Sequence, residues 1–506
     1  MTYLFLTFIW PLVNFLQENF EKINGYSDLS FIFFILTFLS FTSNFLLRKL
    51  SNKPIDRWLL LVFSLVAFFF GYSPIVEAIG SHKIGGFAVK ASYAYLLIIA
   101  GLSYIFWRMA ESVNVQKISK ILICVVFGFS IFNLALKFIS HLNKKIDVED
   151  FKKSGSDKKD FLFKHKPNVY YILVDAYARQ DTLKEIMGYD NEPFLKELEK
   201  FGFIVSRTAR SNYHFTGASL SATMNLLPHE SDQSNLIQYD QMHNSLKGKN
   251  LVRKIFRENN YNIVNIPAHW HQMRCYGNEN VCFLGRSYEV YTGFLSQTPL
   301  KIFHMPNSYV DFELVRNASR ILPGKSKFIF AHFAQIHDAV FDESGKFISV
   351  MHPCFSGKKD GNRYIFSIKT MNIKIINFIQ ELRKTDPLSI IIIQADHGPT
   401  YVGNLTPKEP AYWLAHNESI RLNNKQDFRY TFGIFTAIYL PNYDDRRFAE
   451  AKKYFSGEFT LVNTFRYVFA YLSDMVPNLL PEKSHFLYYD QASQAYKEDN
   501  IDHITN

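Results

Sequence analysis

The stretch IIIIQADHG, residues 390–398, sets four isoleucines in front of Asp396, His397 and Gly398. A short, apolar, β-branched run closed by a turn residue predicts a buried central strand. Open α/β sheets carry their ligands at the carboxyl ends of such strands, and here that end delivers a carboxylate beside an imidazole. The pair suits a divalent metal, although Asp-His-Gly also makes an ordinary strand-ending turn. A second β-rich run, NVYYILV at 168–174, ends on Asp175, which could bind the same ion or merely cap the helix that follows. Between them, SNYHFTGASLSATMNLL, residues 211–227, passes from a polar loop into a small-residue helical pattern with Thr216 at the junction. A hydroxyl at a helix N-terminus gains from the backbone N–H groups and the dipole, which favour an alkoxide and bind phosphate oxygens. Taken alone, Thr216 reads as a plain N-cap.

These residues need a scaffold that brings them to one edge. Strand-like runs at 168–174, 261–266, 327–334, 388–394 and 432–440 alternate with helical patterns near 192–201, 249–258, 364–383 and 461–473. That alternation predicts an α/β domain with a mostly parallel sheet covered by helices on both faces. One of the strands runs into FIFAHFAQIHDAVF, residues 328–341, with His332 inside the strand and His337 beyond it. His332 reads as a satisfied core residue, and His352, in the loop MHPCF, as neutral and solvent-facing.

Together the segments around Asp175, Thr216 and Asp396-His397 resemble the alkaline phosphatase superfamily. The resemblance is to its membrane-anchored, sulfatase-like branch of lipoteichoic acid synthases and phosphoethanolamine or phosphoglycerol transferases. The T-x-x-S spacing of Thr216 and Ser219 is similar to the transferases' nucleophile segment. LVNTFRYVFAYLSDMVPNLLPEKSHF, residues 461–486, resembles the tail of sulfatase-like membrane proteins. The resemblance implies that Asp175, Thr216, Asp396 and His397 hold one divalent metal, zinc or manganese, with Thr216 as nucleophile. His337 would then contact the transferred group or protonate the leaving alkoxide, and Ser219, His214 and His416 would face substrate. His416 follows the Asp-His pair at a greater distance than the transferases' histidine, and lacks the glutamates that precede it there.

The implied activity is transfer of a phosphoryl-linked head group from a membrane phospholipid donor to a cell-envelope glycan or lipid, through a Thr-linked intermediate. Hydrolysis passes through the same intermediate, and a non-catalytic lipid-binding regulator of the envelope is the competing class. Two-metal relatives add a D-x-x-x-H pair, and the one such spacing here is Asp499 and His503 at the tail, so a single metal is expected. No C-x-P-x-R pattern occurs, which removes the formylglycine nucleophile of hydrolytic sulfatases.

Composition predicts where the domain works. The chain has 506 residues with 49 Phe and 29 Tyr, and residues 1–140 are far more apolar than the rest. Five apolar stretches, at 3–18, 29–47, 58–77, 87–107 and 119–139, predict a multi-pass α-helical membrane domain. The first is short and contains Pro11, so it either crosses or lies in the interface. Arg48, Lys49, Lys53 and Arg57 in one loop, and Arg108, Lys117 and Lys120 in another, mark the cytoplasmic side. Everything after residue 140 then lies outside, on the periplasmic face of a bacterial inner membrane. The expected order is membrane helices to 140, a charged linker at 141–167, a catalytic domain at 168–490, and a tail at 491–506. The net charge of +10 includes the linker and the cytoplasmic loops, and no nucleic-acid motif accompanies it. Of four cysteines, Cys275 and Cys282 flank a turn-prone hexapeptide on an exterior that tolerates disulfides, so they are expected either to bridge or to remain two free thiols.

Overall fold

The computed structural model describes residues 1–19, 26–51, 54–72, 75–76, 82–84, 87–89, 91–143, 161–229, 239–268, 273, 277, 279–283, 294–295, 297–302, 311–341, 347–350, 358–399, 430–490 and 495–500. The chain forms two compact units, Met1–Asp157 with Ser287–Asn307, and Lys158–Arg286 with Ser308–Asn506.

The first unit is helical. Its helices run Thr2–Asn19, Tyr26–Leu50, Leu59–Phe70, Ala91–Met109 and Val113–Asn143. Two contain stretches long and apolar enough to cross a bilayer, Leu29–Leu50 and Val113–Ile139. Their outward faces are apolar too: Phe34, Phe45, Ile121, Val125 and Phe129 are all exposed, as a lipid-facing surface requires. The first helix continues through Pro11 and buries Leu4, Ile9, Leu12, Val13 and Phe15. It therefore packs at the centre of this unit. The third helix, Leu59–Phe70, is followed within the expected 58–77 by further helical residues at 72, 75 and 76. The fourth starts at Ala91, because Phe87–Val89 (β2) pairs antiparallel with His82–Ile84 (β1).

Charges sort to the helix ends. Arg57 bonds Glu111 at 2.6 Å, Lys120 bonds Asp56 at 2.5 Å, and the Lys120 ammonium lies 5.6 Å from the Tyr3 ring. Both basic loops and the amino-terminal end thus share one end of the bundle. Lys137 donates to the Gln17 carbonyl at the other. Phe294, from far along the sequence, packs edge-on against Phe15 at 5.5 Å and against Phe70 at 5.0 Å. The segment around it was expected in the catalytic domain; its buried aromatic ring places it with the helices.

The second unit is built on a seven-stranded sheet. In chain order its strands are β3 Val169–Val174, β4 Ile204–Ser206, β5 Asn262–Ile266, β6 Val281–Cys282, β7 Lys327–Phe333, β10 Ile390–Gln394 and β11 Thr436–Tyr439, in the order β4-β11-β10-β3-β7-β5-β6. Strands β10, β3, β7, β5 and β6 are mutually parallel, while β11 runs antiparallel to both of its neighbours. Successive side chains of a strand point to opposite faces, and every residue of β3, β7 and β10 is buried, so both faces are covered. On one face Tyr171, Phe328 and Phe330 meet the helices Leu251–Glu258 and Thr464–Leu472 through Phe256 and Phe465. On the other, Tyr170 and Phe333 meet the helices Lys358–Thr385 and Phe312–Arg320 through Phe378 and Phe312.

Two expected boundaries move. Phe161 and Phe163 close the charged linker, and Phe163 is 3% exposed, packed on Phe256, Tyr261 and Phe469. The end of the linker is therefore part of the domain. At the other terminus, His485–Asp490 (β12) pairs with Ala495–Asn500 (β13), so the hairpin extends into the expected tail. A further hairpin, Ala339–Phe341 (β8) with Phe347–Val350 (β9), follows the helical turn Gln335–Asp338.

Candidate active site

Register brings the acids together. Gln394 pairs with Leu173 across the parallel β10 and β3, so two residues further on Asp396 stands beside Asp175. The Asp175 amide donates to the Phe333 carbonyl of β7, and the Ala176 amide donates to Asp396 Oδ1 at 3.3 Å. Ala176 itself takes a left-handed conformation, φ 55°, which costs a non-glycine residue about 1–2 kcal/mol. Tyr364 holds that turn: its hydroxyl donates to the Ala176 carbonyl at 2.6 Å and accepts from the Ala178 amide at 2.9 Å.

His397 is aimed by its neighbour. Its Nδ1–H donates to the Gly398 carbonyl at 2.7 Å, which leaves the Nε2 lone pair facing the site. Gly398 can only be glycine here, since a Cβ would sit 2.2 Å from the Tyr430 carbonyl and 2.9 Å from that of Gly433. From His397 Nε2, Thr216 Oγ1 lies at 3.3 Å, Asp175 Oδ1 at 3.5 Å and Asp396 Oδ2 at 3.7 Å. Three oxygens therefore converge on one nitrogen.

Thr216 is not the cap of its helix. The N-cap is Phe215, in extended conformation, and Thr216 is the first residue of the helix Thr216–Asn225. Its hydroxyl is thus free of capping duty and sits where the first-turn amides point. Ser219, expected to touch substrate, is fully buried and donates to the Asp396 carbonyl at 2.7 Å. It clamps the helix to the end of β10. The structure corrects its role from ligand contact to brace, because i and i+3 on this helix straddle the strand end.

His214 is buried, stacked on Phe486 at 4.5 Å and set edge-on to Phe215. His337 lies in the turn Gln335–Asp338 that follows β7 at the same sheet edge. His416 and Cys275 fall outside the described residues. Cys282 is disulfide-bonded.

His332, expected to be a satisfied core residue, is one, and its partner is an acid of the site. It is fully buried, and its Nε2–H donates to Asp175 Oδ2 at 3.1 Å. The signal was available: His332 pairs with Leu173, two residues before Asp175 and on the same sheet face.

Asp175, Asp396 and His397 each offer a ligand atom within 4.8 Å of the others, all buried. Burial and the adjacent Asp175 carboxylate push the Asp396 carboxyl up, against opposing pulls from His397, His332 and the Thr216 hydroxyl. Among the described residues, Asp396 Oδ2 is buried with no hydrogen-bond partner. Two buried carboxylates, an imidazole lone pair and a hydroxyl are a donor set that a divalent cation satisfies.

A family model described as Sulfatase matches residues 167–423. No curated protein matches the chain. Among solved structures, the chain is similar to the integral membrane lipooligosaccharide phosphoethanolamine transferase A of Neisseria meningitidis, at 13% identity and TM-score 0.39, covering 94% of this chain and 95% of that one. It is also similar to the periplasmic domain of EptC from Escherichia coli, at 13% identity and TM-score 0.37, covering 67% of this chain and 93% of that one. The periplasmic domain of phosphoethanolamine transferase EptC from Campylobacter jejuni aligns at 13% identity and TM-score 0.38, covering 62% and 91%.

Proposed function

The chain belongs to the sulfatase family of the alkaline phosphatase superfamily, and on that premise we propose that it is a membrane-anchored phosphotransferase using Thr216 as nucleophile. The observation that carries this reading is Thr216 Oγ1, at the first residue of a helix and 3.3 Å from His397 Nε2 beside two buried carboxylates. Hydrolytic sulfatase chemistry needs a formylglycine, and a threonine stands at the helix start instead.

Asp175, Asp396, His397 and the Thr216 hydroxyl would hold the metal. When bound, a divalent ion supplies positive charge that eases deprotonation of the hydroxyl and offsets charge on the phosphoryl oxygens. Thr216 Oγ1 attacks phosphorus of a membrane phospholipid, forming the Oγ1–P bond as the bond from phosphorus to the diacylglycerol oxygen breaks. The first-turn amides of the helix stabilise the non-bridging oxygens. Thr216 gives up its proton, and His337 returns one to the departing alcohol. An acceptor hydroxyl on an envelope glycan or lipid then takes the phosphoryl group, and Thr216 recovers a proton. Water in the acceptor's place gives hydrolysis by the same first step.

The helical unit would cross the inner membrane five times with its basic end in the cytoplasm, so that residues after 143 emerge on the periplasmic side. The clustering of Tyr3, Arg57, Glu111 and Lys120 at one end supports that count. Holding the site beside the lipid surface raises the effective donor concentration. A bridge between Cys275 and Cys282 belongs to this oxidising side.

The test uses the detergent-solubilised full chain with vesicles of phosphatidylethanolamine or phosphatidylglycerol and added zinc or manganese. Diacylglycerol release is expected from the wild type, with a head-group adduct on the Thr216 peptide by mass spectrometry. Thr216→Ala is expected to fold and to release none. Retained release in that variant refutes the nucleophile assignment.

A further inference from the structure

We propose that His332 is a positioning residue that selects which oxygen of Asp175 is presented as the metal ligand. The proposal rests on the reading of Asp175 as a ligand, and goes beyond it by assigning the two oxygens of the carboxylate different duties. Oδ2 accepts from His332 Nε2 at 3.1 Å, and Oδ1 lies 3.5 Å from His397 Nε2. One carboxylate thus faces two imidazoles through two separate oxygens.

The two imidazoles are not equivalent. His397 is oriented by the Gly398 carbonyl and turns its Nε2 toward oxygens of Thr216, Asp175 and Asp396. His332 comes from the middle of the sheet; among the described residues, the group of possible ligands is Asp175, Asp396 and His397, without it. An N–H directed at a carboxylate oxygen occupies one of its lone pairs and fixes the plane of the group. The other oxygen is left in a defined direction, which favours one-oxygen over two-oxygen coordination.

Topology makes the contact firm. Strand β7 holds Asp175 twice, by the main chain through the Phe333 carbonyl and by the side chain through His332, one residue earlier. Both side chains are 0% exposed, so no bulk water competes for the hydrogen bond. An apolar residue at 332 would fill the space and leave a buried oxygen without this donor. The strand periodicity that makes His332 look like core packing is what delivers its N–H to the carboxylate: Leu173 and His332 are register partners, and Asp175, just past the end of β3, follows Leu173 by two residues.

The experiment compares metal binding in the full-length wild type, His332→Leu and His332→Gln, the last because a glutamine amide carries an N–H to nearly the place of Nε2. Cobalt(II) affinity is measured by competition with a chelator, and the visible spectrum reports coordination, since four-coordinate cobalt absorbs more strongly than five-coordinate. His332→Leu is expected to lose about 10–100-fold in affinity, with weakened visible bands, and His332→Gln to retain both. Wild-type affinity and an unchanged spectrum in His332→Leu would overturn the positioning role while leaving the metal site standing. Absence of cobalt binding by the wild type would overturn both. Equal loss in the two variants, accompanied by equal loss of apo-protein melting temperature, would reduce His332 to packing and also overturn it. Should His332→Leu fail to fold, His332→Gln decides alone: a wild-type spectrum supports the role and an altered spectrum in folded protein refutes it.

Discussion

Replacing Asp396 by Asn separates the charge of the site from its shape. Asp396 Oδ1 accepts from the Ala176 and His397 amides at 3.3 and 3.0 Å, and an asparagine oxygen keeps both bonds. The change falls on Oδ2, the buried oxygen with no hydrogen-bond partner among the described residues, which becomes an N–H donor among acceptors. Two carboxylate charges at the 4.8 Å limit of the cluster repel by about 3.5 kcal/mol at an effective dielectric near 20. Attraction to His397 and His332 offsets part of that, leaving a net gain of roughly 1–3 kcal/mol for the metal-free protein. The sign with pH follows from the raised Asp396 carboxyl. A raised carboxyl favours the folded state fully only below the ordinary aspartate value of about 3.9, and that contribution is lost as pH rises through the folded value. The advantage of Asp396→Asn is therefore largest at neutral pH and fades on acidification. Metal acts in the opposite direction: at a hundred times its Kd, the wild type gains about 2.7 kcal/mol that the variant forgoes. The assay is thermal unfolding of the chelator-stripped full chain, with and without zinc, across a pH series. A metal-free variant that melts at or below the wild type at neutral pH would refute the electrostatic reasoning. So would a zinc-dependent rise as large as the wild type's.

Two other substitutions probe the support of the site. Gly398→Ala forces a Cβ against the Tyr430 and Gly433 carbonyls, so it should cost at least the upper part of the usual 1–3 kcal/mol of overpacking, about 3 kcal/mol. Because Gly398 also anchors His397, bound metal measured by plasma mass spectrometry should fall with stability. Tyr177→Phe opens a closed ring in which the Tyr177 hydroxyl donates to Asn372 at 2.5 Å and accepts from Asn191 at 2.9 Å, while Asn372 donates to Asn191 at 2.7 Å. Buried amides left without partners cost about 1–3 kcal/mol, to be read as a lowered melting temperature.

Much of this was legible in the chain because strand ends announce themselves. Four isoleucines before Asp396 and a β-rich run before Asp175 locate two neighbouring parallel strands, and the sheet places them side by side. All five expected strands of the sheet are present, whereas β4 and β6 were missed, being three and two residues long and so without a measurable period. The partners of His332 and Ser219 were not legible for a different reason. Each depends on a partner far away in sequence, Asp175 and Asp396, and periodicity gives the face of a side chain but not what stands opposite. The boundaries failed where aromatic residues sit in polar company: Phe161 and Phe163 inside a lysine-rich stretch, and Phe294 within the domain. A hydrophobic average dilutes such residues, although Phe163 and Phe294 are buried and Phe161 is partly so.

The grouping of Ser287–Asn307 with the amino-terminal helices bears on anyone who would prepare the catalytic part alone. A fragment beginning at residue 158 carries that stretch away from Phe15 and Phe70, the rings that shelter Phe294. Phe294 then loses its cover, and poor yield or self-association of such a fragment would say nothing about the health of the sheet. A preparation that trims the stretch, or replaces Phe294 with a polar residue, should stay monomeric where the simple truncation clumps.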